Sequence, residues 1–149
     1  PILCETSPCV QRLNQELSEL PIYDPVSFAG EFLLDRLEFQ QLEETVVIYP
    51  TCSNRKAGHV PKMQDIASQC AKEVVLPHTA TCCGTAGDRG IFHPELPEMA
   101  LNSLKGQIPK NCSLGISNSR TCELGLSVVS DVKFESLFHL LLKASKAKN

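Results

Sequence analysis

The chain has 149 residues, enough for one domain with a real hydrophobic core, and its 42% apolar and 21% charged content is ordinary for a globular protein. A net charge of −3, few aromatics and no Trp exclude a basic nucleic-acid footprint and a base-stacking platform. No apolar run approaches the ~20 residues that span a bilayer, and Pro1-Ile2-Leu3-Cys4 has none of the features of a signal peptide. The chain opens on an apolar run without an initiator Met, so the expectation is a piece of a longer protein.

In chain order, Pro1 to Cys4 reads as a short strand. A helix is expected from Cys9 to Leu20, capped by Thr6 or Ser7, with Pro8 in its first turn and Leu13, Leu17 and Leu20 on one face. After an extended link at Pro21–Pro25, a second helix is expected with Val26, Phe28, Phe32, Leu33, Leu37 and Phe39 along its apolar side. Thr45–Tyr49 is short, β-branched and continuously apolar, as buried parallel strands are, and it delivers Cys52. A helix from Pro61 to Lys72 should bury Met63, Ile66, Ala67 and Cys70. The strand Glu73–Pro77 then leads through Thr81 to Cys82 and Cys83. A helix over residues 95–106 should turn Leu96, Met99, Ala100 and Leu104 inward. The strand Cys112–Ile116 delivers Cys122, and a last helix is expected from Phe134 to Lys146.

Alternating strands and helices predict an α/β fold, three-layered, with a mostly parallel sheet. Sites in such sheets form beyond the carboxyl ends of the strands, where Cys52, Cys82, Cys83 and Cys122 would be gathered.

The eight cysteines suit reduced thiols in a cytoplasmic protein better than a secreted disulfide framework, because the chain is long and rich in helix and strand patterns. Cys4, Cys70 and Cys112 fall inside element patterns and read as small buried hydrophobes. The pair Cys82-Cys83 is different. Adjacent cysteines bond to each other only with strain, and three glycines follow within seven positions, at 84, 87 and 90. The pair reads as two thiolates aimed at one shared metal or cluster, in the spacing C-x29-C-C-x38-C with Cys52 and Cys122. Four thiolates satisfy either a tetrahedral zinc or a 4Fe–4S cluster, and the spacing does not choose between them. Cys9 is a further candidate ligand. His59, His78, His93 and His139 read as surface or capping residues, with His93 near enough to the turn to touch a cluster. Asp88 and Arg89 read as a pair or a cap, and Arg89 as a hydrogen-bond donor to cluster sulfurs.

The two ends of the chain also share a pattern. Val26-x-Phe28-x-x-x-Phe32-x-Leu34 matches Val132-x-Phe134-x-x-x-Phe138-x-Leu140, with Cys9 upstream of one and Cys122 upstream of the other. Residues 1–40 therefore read as the tail of a preceding repeat and 41–149 as a full one, together forming one compact domain.

These residues resemble a known family. Cys82-Cys83-Gly84 between distant cysteines is similar to the cysteine-rich CCG domain found in heterodisulfide reductases and in the iron–sulfur component of glycolate oxidase. Longer strings resemble the C-terminal region of bacterial FAD-linked D-lactate dehydrogenases. They are Leu34-Asp35-Arg36-Leu37-Glu38-Phe39, Thr51-Cys52-Ser53-Asn54-Arg55-Lys56, Cys82 to Gly90 with His93-Pro94-Glu95-Leu96, and Ser117-Asn118-Ser119-Arg120-Thr121-Cys122-Glu123. The resemblance implies that FAD, on an upstream domain, takes a hydride from a D-2-hydroxy acid. Electrons then leave through ferredoxin-like and CCG iron–sulfur centres towards a quinone or cytochrome, in a cytoplasmic enzyme peripheral to the inner membrane. It also implies metal ligands at Cys52, Cys82, Cys83 and Cys122 and no catalytic residue in this chain. CCG motifs commonly end in C-x2-C, but here position 125 is Gly125, and Arg12 stands at the equivalent place after Cys9. The five-cysteine cluster of the family gives way to a four-thiolate site. The other readings are a structural zinc-binding or metal-free domain packed on the catalytic half, and thiol–disulfide chemistry at Cys82-Cys83.

Overall fold

The computed structural model describes residues 1–5, 7–78 and 82–148. The expected Thr6 or Ser7 cap and the approach through Thr81 lie outside the described residues and side chains. The N-terminal part holds β1 (Ile2–Leu3), α1 (Ser7–Glu16), β2 (Ile22–Tyr23) and α2 (Pro25–Phe28), continued by a π-helical turn (Ala29–Leu33), a 3-10 turn (Leu34–Arg36) and β3 (Leu37–Phe39). Then come β4 (Leu42–Ile48), α3 (Cys52–Lys56), α4 (Val60–Cys70), β5 (Ala71–Val75), α5 (Arg89–Phe92) and α6 (Glu95–Ala100). The chain closes with β6 (Cys112–Ser117), α7 (Arg120–Ser130), β7 (Lys133–Ser136), α8 (Leu137–Ala144) and β8 (Ser145–Ala147).

The α/β expectation holds. Four strands form an all-parallel sheet in the order β5-β4-β6-β7. Side chains alternate across it because the strand period is two. Val46 and Ile48 of β4, with Leu114 and Ile116 of β6, pack on Met63, Ile66, Ala67 and Cys70 of α4 and on Leu137, Leu140 and Leu141 of α8. Val47 and Tyr49 face the other way, onto Leu101, Leu104, Leu126 and Phe134, and Cys112 joins them because the register of β6 shifts between it and Leu114. The sheet thus lies between two helical layers. All four residues expected to face inward from α4 do so, each fully buried. Two small ladders complete the fold, β1 parallel to β2 and β3 antiparallel to β8.

Several element boundaries differ from those expected. Helix α1 stops at Glu16, and Leu17 and Leu20 are exposed, because the chain must turn before Pro21 to pair β2 with β1. The second helix ends at Arg36, and Leu37 and Phe39 lie on β3, where β8 satisfies their backbone. Helix α6 ends at Ala100, so Leu96 and Met99 face solvent while Leu101 and Leu104 fill the core. Phe134 begins no helix: it sits on β7, paired with Gly115 of β6, with its ring over the space that a Cβ on Gly115 would need. The matched positions of the two chain ends therefore take different local structure, Phe28 in α2 and Phe134 in a strand. Among the described residues no helix is long and apolar enough to cross a membrane.

Candidate functional site

The strand order reverses between β4 and β6, which are neighbours in the sheet but send their chains to opposite sides. The carboxyl edge at such a divergence is the usual place for a site in an open α/β sheet. The two strand ends are stitched together there. The Tyr49 amide donates to Ile116 O at 2.8 Å, Ser117 Oγ donates to Tyr49 O at 2.8 Å, and Asn118 Oδ1 accepts from the Thr51 amide at 3.3 Å. Thr51 also caps α3, its hydroxyl accepting from the Asn54 amide at 3.3 Å, which sets Cys52 at the first position of the helix.

The cysteine pair is carried on a turn wedged against α6. Gly84 has φ +73° and lies so close to α6 that a Cβ would meet Leu96 O at 2.6 Å, so both the conformation and the space require glycine. The Gly84 amide donates to Cys82 Sγ at 3.4 Å. One residue further, the buried Thr85 hydroxyl joins two thiols, 2.9 Å from Cys83 Sγ and 3.9 Å from Cys122 Sγ. Cys122 lies in the first turn of α7, beyond the end of β6.

This contact splits the two thiols electrostatically. Hydrogen bonds from Cys122 and then from Thr85, its amide included, lower Cys83 to about 6 against the opposing effect of burial. Cys122 moves far up, because it gives its hydrogen bond to the Cys83 sulfur, is buried, and faces the charge of Cys83. The two thiols titrate as a pair that holds one proton between them.

Of the expected ligands, Cys83 and Cys122 are brought together and buried, whereas Cys52 and Cys82 are exposed. Both exposed cysteines are within electrostatic reach, Cys52 of Cys122 and Cys82 of the Tyr49 phenol. Among the described residues no three Cys, His, Asp or Glu side chains already stand in metal-holding geometry. Cys9 is exposed on α1, which packs on α3, and takes no part in the Cys83–Thr85–Cys122 contact. Cys70 and Cys112 are buried in the two cores, and burial pushes the Cys70 thiol up to about 12. Cys4 is half-buried.

The histidines lie elsewhere. His93 is exposed with Nδ1 3.2 Å from Glu95, and His59 Nδ1 is 2.8 Å from the buried Asp24 carboxylate. Arg89 is exposed at the start of α5, and Asp88 makes no side-chain cap there.

Three polar side chains to which the sequence assigned no role stand beside the thiols or next to Cys52. Tyr49 Oη, both amide atoms of Asn54, and Nε and Nη2 of Arg55 are buried with no hydrogen-bond partner among the described residues. Each such group costs about 1–3 kcal/mol when buried unpaired, and more when charged. Burial, then the charges of Cys83 and Cys82, raise the Tyr49 phenol, while Arg55 pulls it down. Phenol, amide and guanidinium all offer hydrogens, which suits an anionic, sulfur-rich group such as a thiolate-bound cluster or metal. The signals in the sequence were slight: Tyr49 ends a strand-forming run, and Arg55 stands three places after Cys52, one helical turn away.

No protein-family model, no curated protein and no solved structure matches the chain. The residues themselves carry the functional argument.

Proposed function

We propose that this chain is the cysteine-rich, cluster-holding part of a flavin-dependent D-2-hydroxy-acid dehydrogenase of the D-lactate type, with Cys52, Cys82, Cys83 and Cys122 as ligands. The observation that carries the reading is the buried Cys83–Thr85–Cys122 contact near the switch point, together with buried donors on Tyr49 and α3 that have no partners among the described residues. When bound there, a 4Fe–4S cluster supplies one-electron transfer towards a quinone or cytochrome acceptor. The chain's own residues prepare the ligands. In the metal-free chain, hydrogen bonds from Cys122 and Thr85 favour the ionised Cys83 sulfur, and Cys122 would give up its proton as metal binds. Exposed Cys52 and Cys82 close on the centre from the solvent side, and the buried pair anchors it on the core side. FAD and the ferredoxin-like cysteines belong to the upstream partner domains.

Iron, zinc and acid-labile sulfide analysis of the anaerobically loaded chain tests the reading. About four irons and four sulfides per chain, reduced in each of Cys52→Ser, Cys82→Ser, Cys83→Ser and Cys122→Ser, are expected. One zinc per chain and no iron assigns the site to structural metal binding instead.

A second reading, thiol–disulfide exchange, draws on the lowered Cys83 thiol. Its partner is then Cys122 rather than Cys82, and disulfide mapping after mild oxidation distinguishes the two.

A further inference from the structure

We infer that Tyr49 and Arg55 are the hydrogen-bond donors to the sulfur-bound centre, tuning its reduction potential upward. This rests on the proposal that Cys52, Cys82, Cys83 and Cys122 hold a redox-active cluster.

Tyr49 is fully buried in the same core layer as Cys83 and Cys122. Its ring would fill that place as well without the hydroxyl, and the hydroxyl has no partner among the described residues. Three residues beyond Tyr49 in the chain, α3 begins with Cys52 and carries Arg55. Arg55 lies one helical turn beyond Cys52 and presents buried Nε and Nη2 without acceptors among the described residues. A guanidinium stays charged at every working pH, and burying two of its nitrogens unpaired is unfavourable unless an anion faces them. A cluster held by four thiolates is such an anion, and it gains negative charge on reduction. Donors aimed at its sulfurs therefore favour the reduced form. The exposed Arg89, expected from the sequence to play this part, is replaced in it by Arg55.

The test uses the full chain loaded anaerobically with iron and sulfide, as wild type, Tyr49→Phe and Arg55→Gln. Iron content and the midpoint potential are followed by EPR-monitored redox titration. Both variants are expected to keep their iron. At the wild-type midpoint, the ratio of reduced to oxidised centre should fall about tenfold, which is ~59 mV more negative for one electron. The metal-free proteins provide a second readout: Tyr49→Phe should melt no lower than wild type, since it deletes only a buried hydroxyl without a partner.

Full iron content with less than a twofold change in that ratio in both variants overturns the donor role and leaves the cluster reading standing. A metal-free Tyr49→Phe that melts well below wild type also overturns it, because the hydroxyl then serves the fold. A wild-type chain that takes up no iron removes the cluster reading and this inference together.

Discussion

Gly125 of α7 lies against Thr85 so closely that a Cβ on it would stand 2.5 Å from Thr85 Cγ2. In the CCG reading proposed above, a second cysteine would stand at this place. Here the space is taken by the threonine that holds Cys83 and Cys122. A methyl in a helix interior normally gains about 1 kcal/mol over glycine. At position 125 that gain is outweighed, because Thr85 is buried, β-branched and unable to swing away. Gly125→Ala is expected to destabilise by about 1–3 kcal/mol, the usual cost of overpacking. Chemical denaturation of the metal-free protein measures it, and a stabilised variant would contradict the packing argument.

The Cys83–Cys122 pair gives the metal-free protein a particular pH dependence. Unfolded thiols titrate near ~8.5. The lowered Cys83 contributes stability that is fully present above that value and is lost as pH falls through about 6. The raised Cys122 contributes stability present below ~8.5 and lost as pH rises beyond it. The pair's contribution should therefore rise from pH 6, crest near 8.5 and then fall. Thermal unfolding from pH 5 to 10, wild type against the Cys83→Ser/Cys122→Ser double variant, isolates it. A difference between the two that runs in one direction across the whole range would contradict the shared-proton arrangement.

Asp24 joins two parts of the fold. Its carboxylate accepts from the Val26 and Ser27 amides at 2.7 and 3.0 Å, capping α2, and stands 2.8 Å from His59 Nδ1 ahead of α4. Loss of a cap costs about 0.5–2 kcal/mol. Asp24→Ala also removes the imidazole's partner and should cost about 2–3 kcal/mol in all, allowing roughly 1 kcal/mol more for that contact. Asp24→Asn keeps an oxygen for the cap and should cost less than half of that. Urea unfolding of the two variants decides the matter, and equal losses would show that the cap is not what Asp24 supplies.

The sheet was legible because β4 and α4 carry unmistakable periods. Val46-Val47-Ile48 is apolar on both faces, and Met63, Ile66, Ala67 and Cys70 recur at helical spacing. Phe134 misled because a three-four spacing with Leu137, Phe138 and Leu141 continues into it. The free edge of β6 claimed it for the sheet. Leu37 and Phe39 misled in the same way, drawn into pairing with β8 from far along the chain. The strand ends that precede Cys52 and Cys122 could be located in the sequence, because each follows a short run that reads as a strand. The contact between Cys83 and Cys122 could not, nor could Thr85 as its link, since both depend on α7 packing against the Gly84 turn. Tyr49 and Arg55 were hidden for a related reason: what distinguishes them is the absence of described partners, which only the folded chain reveals.

Electron transfer at this site is tested most directly by an anaerobic optical redox titration of the iron- and sulfide-loaded chain. A broad visible band is expected that bleaches reversibly in a one-electron wave and is abolished in Cys83→Ser. A loaded, folded chain with stoichiometric zinc and no wave at any potential would contradict electron transfer as the role of this site.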